Sequence, residues 1–186
     1  MRISPVIART VLAVLILVTS CPGTFAQSET FLRRAESGDL LAIGNLARFY
    51  RHKGELEKAA RWFRRGAELG DDDLQISLAW LYVTGRGVPR DEREAFRWYS
   101  EAARNFNEYA YFALAELYAA GKGTDRDLVE ALAHLDIALI VLNKSQIGLH
   151  EKAHALKTEI ERELSQQQVE QARRRASQLR PDVFRR

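Results

Sequence analysis

A repeat constrains this chain more than any other feature. Shifted by 36 residues against itself, the sequence lays Tyr82 on Tyr118, Gly85 on Gly121, Gly87 on Gly123, Asp91 on Asp127, Glu94 on Glu130 and Ala95 on Ala131. One unit earlier, Ala59 falls on Ala95, Trp62 on Trp98 and Ala67 on Ala103. A period of this size marks an array of supersecondary units, each burying its apolar face against the next. The array loses step at one place. Tyr50 to Ala59 spans nine residues, where Tyr82 to Ala95 and Tyr118 to Ala131 each span thirteen. A deletion of that size is tolerated in a loop, so the repeat reads as helices joined by loops of variable length.

Each unit is predicted to be a helix pair. Leu78, Ala79 and Tyr82 make an i, i+1, i+4 apolar face, and Leu114, Ala115 and Tyr118 repeat it. Gly85 and Gly121 end that helix, where glycine takes a left-handed backbone at least cost. The second helix opens at Asp91-Glu92-Arg93-Glu94 and again at Asp127-Leu128-Val129-Glu130. An acidic N-cap with Glu at N3 resembles a capping box and suits the positive helix end. Pro89 falls in the connecting loop, where its missing donor costs nothing. Ala95, Trp98, Ala102 and Ala103 form the stripe to be buried, and Asp71-Asp72-Asp73 is placed to cap the next first helix. Beyond the array, Leu149, Ala153, Leu156, Ile160 and Leu164 recur at three- and four-residue steps as a capping helix. Ser165 to Gln168 interrupts that helix or starts another. Val169, Ala172, Ala176 and Leu179 carry the pattern on to Pro181. No strand-like alternation is sustained.

The segment Leu78 to Ala103, with Leu78-Ala79, Leu81-Tyr82, Gly85-x-Gly87-Val88, Asp91, Glu94-Ala95, Trp98-Tyr99 and Ala102-Ala103, resembles a Sel1-like repeat, a relative of the tetratricopeptide repeat. Leu114 to Ala138 matches again, with Thr124 for the usual Val and His134 for the usual Trp. Leu46 to Ala67 matches with a tighter turn at His52 to Glu55, and Phe31 to Gly38 reads as a lone second helix ahead of the array. The resemblance implies an all-α, right-handed α–α superhelix of about three helix pairs. The units fall near 41–73, 74–109 and 110–142 within a repeat domain over 29–180, with a helical cap over 146–180 and a short basic tail over 181–186. It further implies a non-catalytic interaction scaffold that takes no cofactor and binds a protein partner on its concave face. In the tetratricopeptide arrangement the first helices line that face, which places Arg48, Arg51, Ile76, Trp80, Val83, Tyr109, Phe112 and Glu116 there. Cysteine-rich relatives linked to penicillin binding carry a cysteine pair per repeat; this chain has none, so that activity does not carry over.

Residues 1–26 read as an export signal. Arg2 and Arg9 precede an apolar run from Val11 to Val18, long enough for a signal h-region and too short to span a bilayer. Thr24-Phe25-Ala26 offers small residues for cleavage before Gln27. Val18-Thr19-Ser20-Cys21 offers a lipobox, in which Cys21 is acylated. The expectation is a periplasmic or exported protein with a partner in the cell envelope, membrane-associated only if Cys21 is lipidated. Cys21 is the single cysteine, which excludes a disulfide framework within the chain and a cysteine-based zinc site. The formal charge of +3 contains both signal arginines and no acidic residue of the signal, so it falls to +1 on cleavage. A nucleic-acid partner is therefore not indicated.

The sharpest chemical motif is His150-Glu151-Lys152-Ala153-His154, which satisfies H-E-x-x-H and makes His150 and His154 weak zinc candidates. A zincin also needs a third ligand on a later element and a strand to hold substrate, and neither is predicted. The bland reading is two polar residues flanking the buried stripe of a capping helix. A metal-dependent hydrolase using these histidines and a lipid-anchored structural role through Cys21 are the alternatives to the scaffold. Gly85-Arg86-Gly87 and Gly121-Lys122-Gly123 follow helices and recur, so they read as turns and not phosphate loops. Arg173-Arg174-Arg175, with Arg180, Arg185 and Arg186, reads as a solvated face and tail. The N-terminal mass of the exported protein separates the two processing routes: a start at Gln27 is expected from ordinary cleavage, an acylated Cys21 from lipidation.

Overall fold

The computed structural model describes residues 30–142 and 146–184, and every regular element among them is helical. The expected export signal and Cys21 lie outside the described residues. A short helix over 30–36 leads into α1 (Leu40–His52) and α2 (Leu56–Glu68). The second pair is α3 (Asp72–Thr84) and α4 (Glu92–Arg104), the third α5 (Glu108–Ala120) and α6 (Leu128–Val141). The cap is α7 (Ile147–Glu163) and α8 (Gln166–Leu179). Within each pair the two helices pack together, and each second helix also packs on the next first helix; both cap helices lean on α6.

Short polar side chains start most of these helices. Asp39 and Asp71 accept the backbone N–H of Ala42 and Leu74, at 3.1 and 2.8 Å. Asp91 accepts from Arg93 and Glu94, Asp127 from Val129 and Glu130, and Asn107 from Tyr109 and Ala110. Each satisfies donors that the first helical turn leaves orphaned. The reciprocal half of the expected capping box is not made at Glu94. Its carboxylate is instead taken by the Arg97 guanidinium at 2.8 and 3.2 Å, an i, i+3 neighbour offering two charge-assisted bonds. The equivalent Glu130 accepts from Arg175 of α8. The complete box forms at Ser165 and Gln168, where the chain turns from α7 into α8.

The core is built on alanine. Ala42, Ala47, Ala59, Ala79, Ala95, Ala102, Ala131 and Ala138 are fully buried, so paired helices approach closely. Tyr82, Trp98 and Tyr99 fill the wider spaces. His134, standing where Trp98 stands one unit earlier, is buried against Tyr111 and Tyr118 with ring centroids 6.2 and 5.3 Å away. Its Nδ1 lies 2.8 Å from the Glu130 carbonyl oxygen, and burial holds the imidazole below its ordinary pKa.

Successive units are locked by the second glycine of each loop. Gly85 and Gly121 are the left-handed C-caps foreseen, at φ 66 and 64°. Gly87 and Gly123 are left-handed too, at φ 74 and 73°. A Cβ at Gly87 would overlap the backbone carbonyl of Leu56, the first residue of α2, and one at Gly123 that of Glu92, the first residue of α4. Polar contacts at the other end of the first helices continue the register. Asn107 donates from Nδ2 to Asp72 Oδ2 at 2.7 Å, and Gln146 from Nε2 to Glu108 Oε1 at 2.9 Å.

The C-terminal segment differs from the solvated basic face expected of it. Arg180 is only 9% exposed. Its guanidinium lies 4.3 Å over the Phe106 ring, donates to both carboxylate oxygens of Asp182 at 2.9 and 2.8 Å, and reaches the Tyr111 hydroxyl at 3.4 Å. Phe184 packs against the core. Arg175 pairs with Glu130 at 2.7 Å, leaving Arg173 and Arg174 as the exposed part of the run. Arg185 and Arg186 lie outside the described residues. A guanidinium tolerates this burial because aromatic faces and a bidentate carboxylate replace its water.

Gly123→Ala should lower stability by about 2–4 kcal/mol, from left-handed strain plus overlap with a backbone atom that cannot move aside. Gly54→Ala, at φ 76° with nothing within 4 Å of its Cβ position, should lose only about 1 kcal/mol. Thermal melts of the two variants should differ accordingly, and equal shifts would refute the interlock.

Candidate functional site

The first helices of the array present one groove, between α3, α5 and α7, with a volume of about 810 Å³. Trp80 and Val83 form one wall, and Tyr109, Phe112 and Glu116 extend along α5. Lys152, Leu156 and Glu159 of α7 close the far side. The heptad geometry of a helix explains the spacing on each: Tyr109, Phe112 and Glu116 are separated by three and four residues and so share a face. Trp80 stands 36% exposed at the rim, whereas Phe112 is 3% exposed and forms the floor. Tyr99 of α4 reaches the same space, and its ring lies 6.4 Å from that of Tyr109, which is 6.4 Å from Phe112.

The groove is aromatic with a charged rim. The Arg86 guanidinium lies 5.4 Å over the Trp80 ring. Burial raises the Glu116 carboxyl above its ordinary pKa, while the positive charges of Lys152 and Lys122 pull it back. Burial also pushes up the Tyr109 and Tyr99 hydroxyls, so both rings stay neutral. Such a surface suits an apolar side chain entering between aromatics with a polar or charged group at its edge.

Five of the eight residues placed on the inner face meet here: Trp80, Val83, Tyr109, Phe112 and Glu116. Ile76 is half-buried against the core and does not line the groove. Arg48 and Arg51 belong to α1, one unit away; Arg51 lies 5.8 Å over the Phe63 ring, and Arg48 donates to Asn45 at 3.4 Å. Sequence reasoning missed Tyr99, Lys152 and Leu156. Tyr99 immediately follows the core residue Trp98, and the pattern assigned the second helix wholly to the interior. The wall from α7 carried no repeat signal, because the cap departs from the repeat.

The histidine pair lies on α7, outside the lining of the groove. His150 is half-buried with Nε2 3.0 Å from the Leu142 carbonyl oxygen, and His154 is exposed. Their rings lie nearly parallel, 29° apart with centroids 6.4 Å apart. Among the described residues, no group of three or more His, Cys, Asp or Glu side chains could hold a metal ion. The arrangement serves α7, where a ring nitrogen meets a carbonyl at the end of α6.

Stacked helix pairs with a groove along their first helices define a helical-repeat solenoid. The Sel1 repeat model matches residues 42–71, 73–105 and 108–139, which together make up half of the chain. The chain belongs to the Sel1 repeat family. Proteins of this family generally mediate protein–protein interaction and are typically non-catalytic scaffolds. Among solved structures, c5321, a protective antigen of uropathogenic Escherichia coli, aligns at 28% identity and TM-score 0.71 over 83% of this chain and 33% of its own. This chain therefore spans about a third of that protein's length. A Sel1 repeat protein from Oxalobacter formigenes aligns at 32% identity and TM-score 0.58, over 68% of this chain and 98% of its own. No curated protein gave a significant sequence match.

Titration with zinc should reveal no site tighter than about 10 μM, and His154→Ala should leave the isotherm unchanged; a tighter site lost in that variant would restore the hydrolase reading.

Proposed function

We propose that this protein is a non-catalytic adaptor of the bacterial cell envelope that holds a protein partner in the groove between α3, α5 and α7. The observation that carries this reading is the convergence of Trp80, Tyr109, Phe112 and Glu116, from two different repeats, with Lys152 of the cap on one concavity. Aromatic anchors such as Trp80 and Tyr109 are among the residue types that dominate interface energetics. Export is supported by the pattern of residues 1–26, a basic start, an apolar run and small residues at the exit. Acylation of Cys21 would tether the same adaptor to a membrane.

The experiment is in-cell crosslinking and capture with the exported protein, comparing the wild type with Trp80→Ala. Trp80 stands at the rim, so the variant should keep its helicity and melt within a few degrees of the wild type. Partner affinity should fall roughly 30-fold, as for truncation of an interface hot spot worth about 2 kcal/mol. Equal capture by the folded variant would remove this groove from consideration.

A further inference from the structure

Charge is segregated along the array. Residues 30–66 carry nine Lys and Arg against four Asp and Glu, whereas residues 67–142 carry seven against fourteen. The excess in the first unit gathers on one face of α2. There Lys58, Arg61 and Arg65 stand where the second unit has Glu94, Arg97 and Glu101. In the second unit these charges cancel locally, since Arg97 pairs with Glu94 at 2.8 Å and Arg104 with Glu101 at 2.5 Å. In the first, Lys58 has replaced the carboxylate that would hold Arg61. Among the described residues, neither Arg61 nor Arg65 has a carboxylate within ion-pair distance, and Lys58 is held by Glu55 at 2.5 Å.

The same face is the N-terminal end of the described array. Elsewhere the tyrosine of each first helix is covered by the preceding second helix: Arg64 of α2 donates to the Tyr82 hydroxyl at 2.5 Å, and Phe96 of α4 meets Tyr118 edge-on at 5.2 Å. The tryptophan position of the following helix is then buried, at 6% for Trp98 and 6% for His134. Among the described residues the first unit has less cover. Phe31, Ala35, Gly38 and Asp39 match Phe63, Ala67, Gly70 and Asp71, so the helix over 30–36 corresponds to only the second half of α2. Tyr50 and Trp62 are consequently left half-buried, and they line a cleft of about 580 Å³ with Lys58, Arg61, Arg65 and Glu36.

We propose that this cleft is the docking site for an acidic amphipathic helix of another protein. The helix lies beside the helix over 30–36 and covers what the first half of a preceding second helix covers elsewhere in the array, with apolar side chains on Tyr50 and Trp62 and carboxylates against Lys58, Arg61 and Arg65. Register argues for a helix, because the element in this position is a helix before both later units, and only its second half is found among the described residues ahead of α1. The inverted charge argues for acidic side chains, because the lining carboxylate of Glu36 faces two arginines without an ion-pair partner among the described residues, Arg61 and Arg65, beside the Glu55-paired Lys58. The aromatic floor distinguishes the site from a flat basic patch, which would need no concavity to hold an anionic surface. This end-on site is separate from the groove at Trp80.

The probe is a fluorescent peptide of residues 56–70 of this chain with Arg61→Glu, Arg64→Glu and Arg65→Glu, read by anisotropy against the full chain. It should bind with a micromolar Kd, weaken steeply at about 0.5 M salt, and lose at least about tenfold in the Arg61→Glu/Arg65→Glu variant of the protein. Both arginines are exposed, so that variant should keep the wild-type circular dichroism. The unaltered 56–70 peptide should not bind, and Trp80→Ala in the protein should leave the affinity unchanged. Equal affinity in the double variant would overturn the proposal. So would capture of phosphatidylglycerol vesicles in place of the peptide, or self-association of the chain abolished by the same variant, which would assign the face to a membrane or to a second copy.

Discussion

The close seating of Gly87 on Leu56 and of Gly123 on Glu92 sets the register from which the rest of the structure follows. Each contact brings a loop of one unit against the opening turn of the preceding second helix, with no room for a side chain between them. Backbone against backbone is a stiff contact, because neither partner has a rotamer to change. The alanine-rich faces then allow the helices to close behind it, and the Asn107–Asp72 and Gln146–Glu108 bonds hold the opposite end of the first helices in step. The groove depends on this lock. Trp80 and Tyr109 belong to different units and share one wall system only because the offset between units is held.

The ends of the array are treated unequally. At the C-terminal end, α7 and α8 cover α6 and are tied down by charge: Lys157 to Asp136 at 2.5 Å, Arg126 to Glu163 at 2.8 Å, and Arg175 to Glu130 at 2.7 Å. Arg180 finishes the closure by folding onto the junction of α4 and α5. That junction is itself unusual. Phe106 sits at φ 66°, at the helix exit where Gly38 and Gly70 take φ 94 and 91° in the earlier units. A bulky residue there costs about 1–2 kcal/mol of backbone strain. Stacking of Arg180 on its exposed ring offsets part of that cost and ties the last residues to the middle of the array. Among the described residues, the N-terminal end has only half a covering helix and a surplus of positive charge. A solenoid normally needs polar, self-sufficient caps at both ends; among the described residues the complete cap is the C-terminal one.

Much of the fold was legible because repetition averages out the ambiguity of any single helix. Gly85 recurs as Gly121 and Asp91 as Asp127 at the repeat offset, and these residues and Asp71 each took the cap position expected of them. Reading failed where one residue type serves two physical roles. A glutamate at N3 can complete a capping box or pair with an arginine one turn on, and Arg97 decides that contest for Glu94. An arginine near a terminus is usually solvated, yet Arg180 meets two aromatic rings and a carboxylate at one point. None of these partners lies near Arg180 in the sequence except Asp182.

The sequence by itself determined the all-helical class, the unit length, the loop that varies and most residues of the groove on α3 and α5. Those features depend on local periodicity and on contacts repeated in every unit. Only the tertiary structure decided which inner-face residues share one concavity, that α7 supplies its second wall, and that Arg48 and Arg51 stand apart from it. It also decided that Trp62 is left open where Trp98 is covered. The physical reason is the same in each case: at the ends of an array a residue's neighbours are no longer copies of the neighbours it has inside, so the repeat carries no information about what covers it.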